Sequence, residues 1–464
     1  MCACRFATRA IHAGCDPRAH GDAAVPPVYL SAAFDLRDAD RGDALSAGTA
    51  DGFAYSRVGN PTVAALEARV AALEGGATAV ALASGMAAVS AALLTAAEGG
   101  GRIIAPKSLY GASVDLLASH LPQFGIHADF VDDINDLDAL ETLIGPDMRA
   151  VFAESVANPS TYVTDVAGIA QVVHRHGVAV VIDNTVPTPY LFRPLEHGAD
   201  VVVHSTTKGL CGHGNALGGV VVDGGTFDWT TGRYPQFTAP ELIVSDERAG
   251  AWRSFADRYG GRAFAERVRG KVLHNLGAVQ SPMDAWLQLM GIETLAVRVR
   301  EQVRTAHRIA RWLATQPQVT AVHCSGLLAE DADVLDGAAL DARLDRERAR
   351  GRADQRTLVR RYFPHGTGAV LSFALAGGRD AVRALIDHTG LFMYAPNIGD
   401  ARSLIVDPAR ITHREVPADF RRAAGVGDEL VRLSIGLEDA DDLIADLARA
   451  FDAVPVGGAL VREA

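Results

Sequence analysis

The sequence predicts an α/β protein: a mainly parallel sheet in a large domain, followed by a smaller α/β domain. Three observations carry this prediction. Short apolar runs alternate with helix-length segments through the first half of the chain. Those runs are continuously apolar, which is how strands covered on both faces read. After Pro282 the pattern changes to a long helical stretch and then a mixed region. The length of 464 residues is about three typical domains, so two or three are expected.

Residues 1–62 have little periodicity and several turn signals, among them Pro26-Pro27 and Gly48, and are read as an arm. Asn60-Pro61 then opens a helix, an N-cap followed by proline at the first helical position. Val63, Leu66, Val70 and Leu73 line its inner face, and Gly75-Gly76 closes it. Strands are expected at Ala79–Ala83, Arg102–Ala105, Ala150–Ala153, Val178–Ile182 and Val201–Val203. A helix from Asp165 to Gly177 turns Ile169 and Val173 inward. These elements make a large domain over 63–282. The C-terminal domain, 283–464, begins with a helical stretch from Trp286 to Leu313 and ends its ordered part near Phe451. Within it Ala329–Arg361 is dense in Asp and Arg and reads as a solvated helix or insertion loop.

Composition removes several function classes. The balance of 44 Lys+Arg against 56 Asp+Glu gives −12, the wrong sign for coating nucleic acid or an anionic membrane. The five cysteines (Cys2, Cys4, Cys15, Cys211 and Cys324) are scattered, without a CxxC pair, as expected in a reducing compartment. The first thirty residues carry Arg5, Arg9, Asp16 and Arg18 and show no apolar secretory core. The uncharged stretch 75–97 divides into a strand-like and a helix-like part, so it reads as a buried βα unit and not a membrane span. A cytoplasmic location is the expectation.

Parallel sheets bind ligands at the carboxyl ends of their strands. Ser84-Gly85-Met86 follows one strand and opens a helix, a turn suited to a phosphate. Asp183 ends another strand, where it needs a cation, a metal or donors, or else caps the next segment. Lys208 follows a third. The chain has only three lysines, and a lysine kept where arginine would serve any generic role points to an amine that must lose its proton. Lys107, near Tyr110, is the competitor, and Lys271 reads as surface. A phosphate cup, a strand-end Asp and a strand-end Lys are the parts needed to hold pyridoxal 5'-phosphate, with the carboxylate on the ring nitrogen so that the ring draws electrons. His174-Arg175-His176 reads as a solvated helix end, with no third ligand for a metal. Cys211 reads as a small core residue, a reactive thiol being the alternative.

A set of motifs then resembles a known family: Tyr55-Ser56-Arg57-Val58-Gly59-Asn60-Pro61-Thr62, Ser84-Gly85-Met86, Leu109-Tyr110-Gly111, Glu154-Ser155 with Asn158-Pro159, Asp183-Asn184-Thr185, His204-Ser205 with Thr207-Lys208, and Arg432-Leu433-Ser434. Together they look like the pyridoxal-phosphate enzymes of cysteine and methionine metabolism, the cystathionine γ-synthase-like group, over nearly the whole chain. The resemblance implies the type I aminotransferase-like fold, with a sheet of the seven-stranded type. It implies that Lys208 holds the cofactor and moves protons, that Asp183 pairs with the pyridine nitrogen, and that Asn158 contacts the ring hydroxyl. Tyr110 would stack on the ring and assist proton transfer. Gly85, Met86, Ser205 and Thr207 would bind the phosphate, with Tyr55 and Arg57 reaching the phosphate of a neighbouring subunit. A dimer would then be the minimum active unit and a homotetramer the family habit. Arg432 would clamp the α-carboxylate of a small amino-acid substrate, with Asn397 beside it.

Within the family, Asn397-Ile398-Gly399-Asp400-Ala401-Arg402 is similar to the O-acetylhomoserine sulfhydrylases, which carry Asn and a basic residue where lyases more often show Ser and an acidic one. Ala112-Ser113, Cys211 and Ala395-Pro396 depart from the usual pattern and bear on the choice of nucleophile. The expected reaction is γ-replacement on an O-acyl-L-homoserine, with sulfide giving L-homocysteine. The alternatives are a carbon, nitrogen or other sulfur nucleophile, or γ-elimination of the methionine γ-lyase type.

Overall fold

Seven strands build the large sheet: β1 (Thr78–Leu82), β2 (Gly101–Pro106), β3 (Ile126–Val131), β4 (Met148–Glu154), β5 (Ala179–Asp183), β6 (Val201–His204) and β7 (Gly219–Asp223). The computed structural model describes residues 4–246, 250–329 and 354–454, so Cys2 and most of the charged segment 329–361 lie outside the described residues. The strand order is β1-β7-β6-β5-β4-β2-β3, parallel throughout except for β7, which runs antiparallel to both of its neighbours. The expected mainly parallel sheet is therefore present.

Burial on both faces explains why its central strands are apolar runs. In β5, Val180 and Ile182 face one core while Ala179 and Val181 face the other, and all four are fully buried. Two strands lie outside the expected set. β3 is an edge strand carrying partly or fully exposed His127 and Asp129, and β7 is three valines between a glycine and an aspartate.

Local signals set the helices. Asn60 Oδ1 accepts the Thr62 N–H at 2.9 Å and opens the helix Pro61–Glu74, which ends at Gly75 in the left-handed region (φ 83°). Asp165 caps Val166–His174 in the same way, through the Gly168 N–H. The helix Gly85–Ala96 starts immediately after β1. The N-terminal segment is not extended throughout, because Phe6–His12 and Ala39–Ser46 are helical, and the former buries Ala10 against the main core.

The helical stretch after Pro282 is two helices, Pro282–Glu293 and Leu295–Thr315, broken at Thr294. They lead to a second sheet of β8 (Val319–His323), β9 (Val370–Leu375), β10 (Met393–Tyr394), β11 (Leu404–Val406) and β12 (Leu430–Ser434), ordered β10-β11-β12-β9-β8. A closing helix, Ala440–Phe451, buries Leu443 and Leu447 against it. Among the described residues no helix is long and apolar enough to cross a membrane. His174 and His176 pair separately, with Asp200 and Glu141.

Candidate active site

Glu154, Asp183 and His204 end β4, β5 and β6, three neighbouring parallel strands, with Glu154 directly opposite Asp183. Over these ends lies a cavity of about 220 Å³. Gly85, Met86, Ser205 and Thr207 line one part of it, and Tyr110, Asn158, Asp183 and Lys208 another. Asn397 and Arg432 close it from the C-terminal sheet. All of the expected site residues except Tyr55 and Arg57 thus meet in one place.

Lys208 sits in the loop between β6 and β7, and its Nζ donates to Asn397 Oδ1 at 2.6 Å. Burial and the positive charge of Arg432 bring this amine from the ordinary 10.5 to about 8. The loop is pinned from behind by Arg298, which donates to the carbonyls of Gly209 at 3.0 Å and Gly291 at 2.6 Å. Gly399 makes the close approach of the Asn397 loop possible. It has φ 70°, and a Cβ there would lie 2.5 Å from the Gly209 nitrogen.

Arg432 is buried at 2% exposure. Its Nη1 donates to Asn158 Oδ1 at 3.2 Å and its Nη2 to the Asn397 carbonyl at 3.0 Å, while its Nε is buried with no hydrogen-bond partner among the described residues. A buried guanidinium with an unused donor is a carboxylate site in waiting. Burial also pushes the Tyr110 phenol up, so it keeps its proton at neutral pH.

Asp183 accepts the Thr185 N–H at 2.9 Å, and the ion pairs of the described residues give it no cation. Burial pushes its carboxyl up, against hydrogen bonds from Thr185 and the nearby charge of His204. Behind it, His204 and Asn184 both bond to Glu74 Oε1, at 2.5 and 2.9 Å, in a fully buried cluster.

The Cys/Met metabolism PLP-dependent enzyme model matches residues 7–334 and 352–452. The chain belongs to this family. It is 39% identical to an L-methionine gamma-lyase of Pseudomonas putida and 38% identical to an O-acetyl-L-homoserine sulfhydrylase of Corynebacterium glutamicum, covering 97% of each and 97% of itself. Among solved structures it resembles a Campylobacter jejuni protein designated an O-acetylhomoserine (thiol)-lyase, which contains N'-pyridoxyl-lysine-5'-monophosphate. The TM-score is 0.86 at 33% identity, over 97% of this chain and 100% of that one. The protein is a pyridoxal-phosphate enzyme of the type I aminotransferase-like fold.

The residues present fit this cofactor. A Cβ on Gly85 would lie 2.5 Å from Ser205 Cβ and 2.9 Å from Ser205 Cα, so only glycine lets the helix N-terminus and the Ser205 loop come this close, side by side at one end of the cavity. Asp183 lacks the cation that a pyridinium would supply. The Cys/Met-metabolism enzyme should therefore lose cofactor when this cup is filled. Gly85→Ala is expected to weaken pyridoxal phosphate binding about tenfold or more, the scale of a 1–3 kcal/mol overpacking cost. Absorbance titration of the apoprotein measures it. Unchanged affinity would show that the phosphate sits elsewhere.

Tyr55 and Arg57 lie outside the cavity of their own chain. Tyr55 is 47% exposed, and Arg57 stands 5.5 Å over its ring while donating to the His274 carbonyl at 2.5 Å. Lys107, the competing lysine, pairs with Asp132 at 2.8 Å and does not line the cavity. Lys271 pairs with Glu241. Cys211 is fully buried, its thiol on Asn215 Oδ1 at 3.1 Å, and burial pushes it up, which is a core residue's setting.

The cavity also contains groups that the sequence motifs include but give no individual role, notably Glu154, Ser113, Thr185 and Thr412. Glu154 carried a visible signal, since it ends an apolar strand as Asp183 does. Its carboxyl is pushed up to about 8 by burial and by the charge of Asp183.

Proposed function

We propose that the enzyme catalyses γ-replacement on O-acetyl-L-homoserine with sulfide as nucleophile, giving L-homocysteine and acetate. The observation that carries this reading is Asn397, whose carboxamide takes the Lys208 amine inside the cavity. Asn397, with Arg402 after it, is the segment whose resemblance to the O-acetylhomoserine sulfhydrylases favours them over the lyases, which more often show Ser and an acidic residue there. The two kinds of relative are nearly equally similar over the full length, so the site residues weigh more than overall identity.

In this reading the cofactor, when bound through Lys208, supplies the electron sink for charge developing at the substrate α-carbon. Arg432 holds the substrate α-carboxylate with its free Nε and adjoining Nη groups, orienting the Cα–H bond toward Lys208. The freed Lys208 amine takes the proton from Cα and then one from Cβ. Its depressed pKa gives it a substantial neutral fraction near pH 8. The Cγ–O bond breaks with its electron pair leaving on acetate, a Cγ–S bond forms from sulfide, and Lys208 returns protons to Cβ and Cα. No net oxidation or reduction occurs. Tyr110, protonated, would stack on the bound ring and assist these transfers, while Asp183 and Asn158 would hold its nitrogen and hydroxyl. Tyr55 and Arg57 serve the cofactor phosphate of a neighbouring subunit, so a dimer is the minimum active unit and a tetramer the expected assembly.

The test is mass spectrometry of products from the pyridoxal-phosphate-loaded enzyme given O-acetyl-L-homoserine with and without sulfide. Homocysteine that requires sulfide, with acetate in equal amount, is expected. 2-Oxobutyrate formed regardless of sulfide would replace the reading with γ-elimination, and unchanged substrate would mean a different donor.

A further inference from the structure

Glu154 is the one acidic group of the cavity, besides Asp183, and both of its oxygens are engaged by backbone donors from two different loops. Oε1 accepts the Tyr110 N–H at 2.6 Å, and Oε2 accepts the Asn158 N–H at 3.1 Å. Its own main chain is anchored as well, the Glu154 carbonyl accepting the Thr164 hydroxyl at 2.6 Å. The side chain is 6% exposed and makes no ion pair among the described residues. Removing a carboxylate from water without a cation is costly, and packing alone would be served better by an apolar residue. The two backbone N–H donors favour the ionised form against the burial that raises its pKa. In that form the group offers two equivalent acceptors about 2.2 Å apart in a single plane, which can bridge two separate N–H groups.

We propose that Glu154 is a positioning residue that ties the Tyr110 loop to the Asn158 loop and so sets the ring of Tyr110 and the amide of Asn158 relative to the bound cofactor. The inference rests on the assignment of those two residues to the cofactor ring, and not on the identity of the nucleophile. Tyr110 stands at the N-cap of a helical stretch that begins with Gly111–Asp115 and continues to Phe124, and Asn158 follows β4 by four residues. Both residues lie just outside regular structure, where helix and strand hydrogen bonds do not fix the backbone. The opposite side of each is held by the C-terminal domain. Gly111 packs so tightly on the Thr412 carbonyl that a Cβ would come within 2.3 Å of it, and Asn158 Oδ1 receives Arg432. Glu154 provides the matching restraint from the large sheet.

Glu154→Gln keeps the volume but replaces one acceptor by an NH₂ donor, so one backbone N–H must lose its partner. The first readout uses no substrate: visible circular dichroism of the bound pyridoxal phosphate, per mole bound, which reports how the ring is held. A change of at least about twofold in band amplitude is expected, with kcat lowered about 10²-fold, the scale of an ångström-sized misplacement, and KM little changed. Glu154→Asp keeps the charge and shortens the reach, and is expected to alter the same band. A wild-type spectrum in Glu154→Asp together with an altered one in Glu154→Gln would assign the role to charge and overturn positioning. An unchanged spectrum in both would overturn it outright. Tyr110→Phe closes the cycle, because its cost should be much smaller in the Glu154→Gln background than in the wild type. Additive costs would mean that Glu154 does not act through Tyr110. Loss of the circular dichroism effect tests this proposal, whereas a failure to make homocysteine with wild-type dichroism behaviour tests the sulfhydrylase reading alone.

Discussion

Lys208→Ala is expected to abolish turnover, with kcat down about 10³-fold or more, and to leave pyridoxal phosphate bound without a covalent link to the chain. Two losses combine in this substitution. The amine that holds the cofactor disappears, and so does the base that moves protons at the substrate α- and β-carbons, a role worth about 10²–10⁴-fold by itself. No other lysine can take over, since Lys107 and Lys271 are engaged by Asp132 and Glu241 away from the cavity. Borohydride treatment followed by peptide mass spectrometry checks the first loss. The wild type should carry the reduced cofactor on Lys208, and the variant should carry none. A variant that still turns over within about tenfold of wild type would remove Lys208 from the centre of the chemistry.

Arg432→Ala is expected to lower kcat/KM about 10²- to 10⁴-fold while cofactor stoichiometry stays at one per chain. The estimate takes two charge-assisted hydrogen bonds to a carboxylate at about 1.5–3 kcal/mol each, with about 1.4 kcal/mol per factor of ten. Arg432→Lys should recover only part of the loss, because an ammonium keeps the charge but not the fork. The same substitution has a second consequence in pH. Burial and the Arg432 charge both lower the Lys208 pKa, to about 8, so the amine is protonated below that pH and neutral above it. Deleting the Arg432 charge removes one of the two causes, and the midpoint must move up toward the ordinary 10.5. Wild-type apoprotein should therefore capture pyridoxal phosphate faster as pH rises through about 8, and Arg432→Ala should need a higher pH. An unshifted midpoint would show that the guanidinium charge does not reach Lys208.

Much of this arrangement is legible in the residues. β1, β2, β4, β5 and β6 read as strands because burial on both faces requires an unbroken apolar run. Asn60-Pro61 and Gly75 bracket a helix because they satisfy its ends locally, without help from distant residues. Lys208 stands out because lysine is so rare here. Other features have no local signature. β3 is largely half-buried and His127 and Asp129 break its apolar run, and the N-terminal helix Phe6–His12 is too short for its periodicity to speak. Arg298 pins the Lys208 loop through backbone carbonyls, and Glu154 joins two loops through backbone N–H groups. Every residue has such groups, so nothing in a side-chain pattern announces that these particular ones are the partners.

The boundary between sequence and tertiary structure falls at the same physical line. The alternation of strands and helices, the glycine at the turn after β1, and the acid and the amine after two strands follow from short-range rules and can be read from the residues alone. That Asn397, 189 residues from Lys208, takes its amine, and that Arg432, 274 residues from Asn158, shares its carboxamide, follows only from how distant segments pack. The same packing places the Lys208 amine near 8 and the Glu154 carboxyl near the same value. Proton affinity depends on how much water is removed and which charges are close. Those quantities come into being only when the two sheets close over the cavity.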